Sequence, residues 1–553
     1  MTDRNGPEPA QKSGKKSAAN RREIRTRQAK RSRVLSRTFS VAGAVVAVGA
    51  LAAAGSLYLP GTDSDARGAA AVPVPAADLI TACAGPAGLS SGDAEGTDTE
   101  FAPDASDSRN WFDVVSSPFG AGTDSATADS SQFTVNALGT DRLGETLATG
   151  DAASQARVVA NRKLTAGLRV NGTVADAVPA QVGAVQGSLA TEGDLRGLAT
   201  EQCARGGSDF WLVGGSTEVG RSSRLIVSNP TETASTVTVD VYGAEGRVEV
   251  SGAEDLLVAP GAGRSVLLEG LAPDQGQLAV HVSSRGGLVS AAMQHSVLRG
   301  LQPGGVDFVG PSARPATSQY IPGIALRTKP SSDPQYQDAG AALRIGVPGS
   351  APARVSLKLY GSDGIIDLGE RSTAEVSGES VIDIPLSSVP DGVYGAELSS
   401  DVPIVASARI ARQGSESDQA PEGATDFAWI GSTQALAGEQ QAVLPSGVAS
   451  TVDLTALDGE GSVVVRGVGS DGVLGDARTV DVPASTTVSL NPAEFVAQGK
   501  KPAAVLLTPA EGSARVIGAT VVTADSDGGE LISAMPVPAS PPGGSSVDVR
   551  IAN

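Results

Sequence analysis

After Ser208 the chain repeats itself, and a repeat of this length leaves few folds open. The block Val237-Thr-Val-Asp-Val-Tyr-Gly-Ala-Glu-Gly246 returns as Val355-Ser-Leu-Lys-Leu-Tyr-Gly-Ser-Asp-Gly364 and as Val463-Val-Val-Arg-Gly-Val-Gly-Ser-Asp-Gly472. Each is an alternating strand that runs into a tight turn, whose final Gly supplies the φ > 0 the turn demands. A second block follows every time: Val258-Ala-Pro-Gly with Ser265-Val-Leu, Val376-Ser-Gly with Ser380-Val-Ile, Val482-Pro-Ala with Thr487-Val-Ser. A third is strand, turn, strand, at 279–292, 396–408 and 505–520. Asp209-Phe-Trp-Leu-Val-Gly, Asp307-Phe-Val-Gly and Asp426-Phe-Ala-Trp-Ile-Gly are read as the openings of the three copies.

A copy of about 100–115 residues with about seven alternating strands fits an antiparallel sandwich of immunoglobulin-like layer architecture. The boundaries predicted are 209–306, 307–425 and 426–535, with a flexible Ser- and Pro-rich tail at 536–553. The alternative is one continuous three-bladed or barrel-like assembly that shares sheets between copies. Residues 76–208 are Ser-, Asp- and Gly-rich, with short strands at 133–138, 164–170 and 182–189 that are expected to pack on the first copy. Loop is the expectation for 90–131.

The other constraint lies upstream. Residues 39–59 carry no charge, and at about 1.5 Å per residue a helix of that length spans a bilayer core. Residues 1–37 hold 12 basic and 3 acidic side chains, a net of +9, so with −19 for the whole chain the remainder carries −28. Basic residues before an apolar run place the N-terminus inside. The expectation is therefore a basic cytoplasmic tail (1–38), a signal-anchor helix through the lipid bilayer (39–59), a linker (60–75) and a mainly β extracytoplasmic bulk. Ala52-Ala53-Ala54 offers a cleavage pattern, so secretion after cleavage is the alternative. The acidic bulk excludes nucleic acid as a partner.

Only two cysteines exist, Cys83 and Cys203. In an oxidising compartment they are expected to form one disulfide, with two buried thiols as the alternative. Ile80-Thr81-Ala82-Cys83 spells a lipobox but sits too far behind the apolar run. His281 and His295, the only histidines, lack the spacing of a metal or general-base motif. Gly467-Val-Gly-Ser-Asp-Gly472 matches a dinucleotide fingerprint formally, but it lies in the repeat's hairpin block. Asp525-x-Asp527-Gly-Gly-Glu530 reads as a solvated turn rather than a calcium loop. Trp211 and Trp429 are read as core. Trp111, in the polar segment, is the freer aromatic and the candidate for stacking on a sugar ring.

Cys83-x-Gly-Pro86, Cys203, Trp211-Leu-Val-Gly-Gly215 and Leu225-x-x-x-Asn229-Pro230 resemble a family of actinobacterial envelope proteins of unknown function. The similarity runs over about 39–535, and Ala84 stands where that family's string has Pro. The resemblance implies one N-terminal membrane segment, a cell-envelope setting and β-rich repeats, and it carries over no catalytic residue. The reading is a non-enzymatic scaffold that meets an envelope protein or glycan. Its alternative is an accessory glycan- or enzyme-binding subunit in cell-wall polymer assembly. No cofactor is expected.

Overall fold

Apolar residues at every second position should bury one face of a strand. Ala353–Gly361 is buried and exposed in strict alternation from Ala353 to Leu359. Ser235–Gly243 and Gly461–Gly469 share one burial pattern with each other, position for position. The turns behave as their composition demands: Gly246, Gly364 and Gly472 have φ of +129°, +115° and +80°.

A computed structural model of the chain describes residues 70–73, 76–89, 108–123, 129–174, 178–250, 255–327, 340–416, 423–541 and 546–549. The basic tail, the apolar run 39–59 and most of the linker lie outside the described residues. Among the described residues no helix is long and apolar enough to cross a membrane. Ala70–Pro73 pairs with Ser546–Val549 in a sheet of their own.

The second block of the chain shows the repeating unit. One antiparallel sheet runs Ala262–Leu267, Arg221–Asn229, Ser290–Arg299, Gln302–Val309. The facing sheet runs Asp209–Val213, Ala279–Gly286, Ser235–Gly243, Gly246–Val248. The same order recurs over 316–431 and 440–536. In the 316–431 copy two strands are fused. Gly392–Gln413 pairs with Ala316–Leu326 through its first half and with Thr425–Gly431 through its second.

Two corrections follow. The expected openings Asp307-Phe-Val and Asp426-Phe-Ala-Trp are the closing strands of the sandwiches before them, since Gln302–Val309 pairs with Ser290–Arg299 and Thr425–Gly431 with the end of Gly392–Gln413. Asp209–Val213 does open a copy, so the three Asp-Phe strands are not equivalent. The second correction concerns 76–208. Residues 79–205 form a complete sandwich with the same strand order, and Ser108–Ser116, expected as loop, is a core strand. Phe133–Leu138 pairs with Leu143–Gly150 just as Ser235–Gly243 pairs with Gly246–Val248. Among the described residues there are four sandwiches, not three.

Within 73–546, one compact unit, the four close into a ring. The closing strands Gly197–Gln202, Gln302–Val309, Thr425–Gly431 and Leu531–Pro536 stand side by side about an axis, each touching the next and the last touching the first. The outer sheet of each sandwich packs on the inner sheet of its successor, and the fourth packs on the first. The four inner sheets stay separate ladders, so side chains make most of the joints, with backbone bonds between Gly139 and both Gly261 and Gly263 added between the first two sandwiches.

The closing joint is polar outside and apolar within. Asp113 accepts from the Ser446 hydroxyl at 2.6 Å and its N–H at 2.9 Å, and Glu439 accepts from the N–H groups of Gly120 and Gly122 at 3.1 and 2.6 Å. Beneath them Trp111, Val185 and Leu198 share a core with Val443, Leu506 and Leu531.

Cys83 and Cys203 are joined, with Cα atoms 4.4 Å apart, tying the two sheets of the first sandwich across 120 residues. A loop of that size implies about 5 kcal/mol from chain entropy. Mass spectrometry of unreduced protein is expected to find the two peptides linked, and reduction is expected to lower the melting temperature. Two free thiols in protein purified without reductant contradict this. Bonded and buried, Cys83 offers no thiol for a lipid.

The C-terminal tail is also corrected. Extended, Pro-rich chain has carbonyls free for donors, and Arg205 donates to Ala539 and Ser540 carbonyls at 2.6 and 2.7 Å. Residues 536–541 are therefore seated rather than frayed.

Candidate functional site

The closing strands run in the same direction, because successive levels of the axis draw on successive residues of each. At one level Asp426 Oδ2 accepts from the N–H groups of Ile532 (2.8 Å) and Leu198 (3.4 Å). At the next, Asp307 accepts from the Trp429 N–H and the Ser533 hydroxyl, both at 2.7 Å, and Ser533 Oγ accepts from the Thr200 N–H at 3.0 Å. Each carboxyl thus bridges two other sandwiches. Burial pushes Asp426 up to about 7, against the pull of its N–H donors and of Arg196. Burial raises Asp307 well above the usual carboxylate range too.

Because the strands share a direction, the axis has two unlike mouths. At their N-terminal ends a cavity of about 760 Å³ is lined by Glu192, Arg196, Arg299, Asp525 and Asp527. The suspected calcium stretch lies here, with its last carboxylate already engaged: Glu530 pairs with Arg412 at 2.6 Å and Arg327 at 3.6 Å. Among the described residues no group of His, Cys, Asp and Glu is placed to hold a metal ion.

At the C-terminal ends lies a pit of about 380 Å³, to which all four sandwiches contribute. Phe210, Phe308, Trp429 and Met535 are among its apolar walls, and the seated tail forms part of its rim. Five polar side chains lining it have buried atoms without a hydrogen-bond partner: Thr81 Oγ1, both amide atoms of Gln181, Ser312 Oγ, Ser432 Oγ and Gln440 Oε1. Four of these residues, Thr81, Gln181, Ser432 and Gln440, are at most 5% exposed. Buried polar groups are paired in nearly all native interiors, and six of the exceptions among the described residues gather around this concavity.

Glu201 also lines the pit. Its carboxyl accepts from Gln186 Nε2 at 3.0 Å, and burial pushes it up to about 8, partly offset by the Ala84 N–H. It is therefore mostly uncharged at neutral pH. Arg205, the cation at the rim, is committed to the tail carbonyls. The pit offers a ligand no uncommitted charge.

The residues singled out in the sequence fall elsewhere. Trp111 is 1% exposed, with Gly187 against one part of its ring and the Arg109 guanidinium 3.8 Å from its centroid. Neither face is open to a sugar, so the stacking role expected for it is set aside. The strand Ser108–Ser116 was hidden by its polar flanks, and with it the reason Trp111 is core. His281 lies between Asp209 (3.1 Å) and Asp240 (3.3 Å) and stacks on Trp211 at 4.6 Å. His295 is buried and receives the Trp429 indole N–H at 3.1 Å. Gly467–Gly472 forms the hairpin end of Gly461–Gly469 and does not lead into a helix. Cys203 lines the pit, and its disulfide holds that wall in place.

Glu201, Gln181 and Gln440 were missed, and no local pattern announces them. Asp307 and Asp426 did leave a trace, as the recurring Asp-Phe pair. A family model described as a family of unknown function (DUF5719) matches residues 148–493, more than half of the chain. No curated protein and no solved structure matches it.

Proposed function

The chain belongs to this family of unknown function, and on that premise we propose that it is a non-enzymatic, membrane-anchored binding protein of the extracytoplasmic face. A ring of four sandwiches presents the axial pit to a ligand, and residues 39–59 hold the ring to the membrane. The observation that carries the reading is the pit, where unpartnered buried polar groups from several sandwiches converge between apolar walls. Among the described residues Glu201 is the one carboxyl in the pit lining, without the second that general acid–base hydrolysis uses. A disulfide fits an oxidising compartment, and the charge step across the apolar run supports an inside N-terminus.

A photo-crosslinking residue at Gln434, exposed at the pit rim, and another at the remote, 87% exposed Val219 test this in intact cells. An adduct is expected at Gln434 alone, with a C-terminal tag open to added protease. A protected tag, or no adduct at Gln434, overturns the reading.

A further inference from the structure

We propose that the axial pit binds an uncharged saccharide, one or two rings deep; this rests on the pit being the binding site. The chemistry of the unpartnered groups selects the ligand. Thr81 and Ser432 each bring a hydroxyl that donates and accepts, Gln181 brings a free donor and a free acceptor, and Gln440 an acceptor. Sugar hydroxyls are the complementary set, since each also donates and accepts. The walls supply the other half of a sugar's surface: Phe210, half-buried at the pit, offers an aromatic surface to its C–H groups, with the largely covered Phe308, Trp429 and Met535 as apolar backing.

Charge selects further. An acidic sugar or a phosphate brings an anion into a pit with Glu201 in its wall and Arg205 already donating to Ala539 and Ser540. Such a ligand finds Arg205 already engaged and gains no uncommitted cation to offset its charge. An extended peptide is met best by a free strand edge, which offers a ladder of N–H and C=O groups. The pit offers side-chain amides and hydroxyls at scattered heights instead. Its volume of about 380 Å³ is at the small end for ligand sites, which suits the end of a chain or a short unit.

The test uses the full-length protein in detergent, titrated calorimetrically with three probes: a neutral N-acetylhexosamine trimer, a neutral hexose trimer and a uronic acid trimer. Saturable binding tighter than about 1 mM is expected for at least one neutral probe and not for the acidic one. Thr81→Val and Ser432→Ala each remove a hydroxyl that has no partner in the folded protein. Both are expected to leave the melting temperature unchanged or raised, because an unsatisfied buried group is lost, while weakening saccharide binding about tenfold. A merely structural hydroxyl gives the opposite pattern. The saccharide inference falls if neither neutral trimer binds, if the acidic trimer binds better, or if both variants bind as wild type. If no trimer binds while a proline-rich peptide competes for the Gln434 crosslink, the pit remains the binding site and the ligand class is wrong. If Gln434 captures nothing in cells, the reading beneath it fails as well.

Discussion

Arg344→Met is expected to lower the unfolding free energy by about 3–5 kcal/mol, the largest loss among single substitutions outside the axis. Arg344 lies in the strand Ala342–Gly346 with its side chain 1% exposed. It grips Asp383 through Nε (2.7 Å) and Nη2 (2.9 Å), and donates to the carbonyls of Gly215 (2.5 Å) and Gly276 (3.3 Å) in the preceding sandwich. Its guanidinium stands 4.7 Å from the Trp429 ring centroid, so one side chain joins a sheet, a neighbouring sandwich and an axial strand. Gly215 has to be glycine for this: its φ is +81°, and a Cβ there would meet Ser223 Oγ at 2.7 Å. Burial pushes the Asp383 carboxyl up, but the Arg344 charge and hydrogen bonds outweigh it and leave it below the usual range. Methionine fills the volume and strands that carboxylate, together with two carbonyls. Urea denaturation monitored by far-UV circular dichroism reads the loss, and the double variant Arg344→Met/Asp383→Leu is expected to recover much of it, since replacing both ions by apolar groups removes the unpaired charge. A single-variant loss below about 1 kcal/mol, the scale of an exposed pair, is incompatible with a clamp of this kind.

The strand alternation, the hairpin glycines and the order of blocks in the last three sandwiches were legible because each rests on neighbours in the chain. Long-range identity was not. Asp209, Asp307 and Asp426 all stand before Phe, yet the first begins an edge strand that pairs with Ala279–Gly286, while the other two end a sheet at the axis. Local pattern cannot separate these, because both environments bury one face of a short strand. The first sandwich carries its own copy of the block, Phe133-Thr-Val-Asn-Ala-Leu-Gly-Thr-Asp141, but lacks the closing Gly. There the turn is made by Gly139 N–H donating to the Arg142 carbonyl at 3.1 Å, and the signature that marks the other three is lost. The disulfide was legible from cysteine count and compartment. The pit was not, since Thr81, Gln181, Ser432 and Gln440 are uncharged, unpatterned and drawn from three sandwiches. A ring site is a property of closure, and closure leaves no motif in any one segment.

Closure also has a proton cost, and it predicts that the ring is more stable at pH 5 than at pH 8. Glu201, Asp426 and Asp453 are raised by burial to about 8, about 7 and about 6 from ordinary values of 4.5, 3.8 and 3.8, and Asp307 is raised as well. Unfolded, these groups lose their protons near pH 4, so between there and pH 8 the native state holds more protons than the unfolded chain. Stability then falls as pH rises: the contribution is whole below about pH 4 and is lost through the folded values. Shifts like those of Glu201 and Asp426 are each worth on the order of 4 kcal/mol at full expression, enough to dominate the profile. The lowered carboxyls act elsewhere. Asp383 contributes stability that is lost only as pH falls through its folded value, below 3.8. General repulsion within a chain of net charge −19 adds to the same alkaline slope, so a control must isolate the axis. Glu201→Gln with Asp426→Asn supplies it, since both changes keep a neutral acceptor in place and remove the titration. Urea midpoints are expected to drop from pH 5 to pH 8 in the wild type and to lose most of that slope in the double variant. A wild-type midpoint that rises over this interval, or a slope the double variant retains in full, means that the buried acids do not hold their protons and that the axis is ionised at neutral pH.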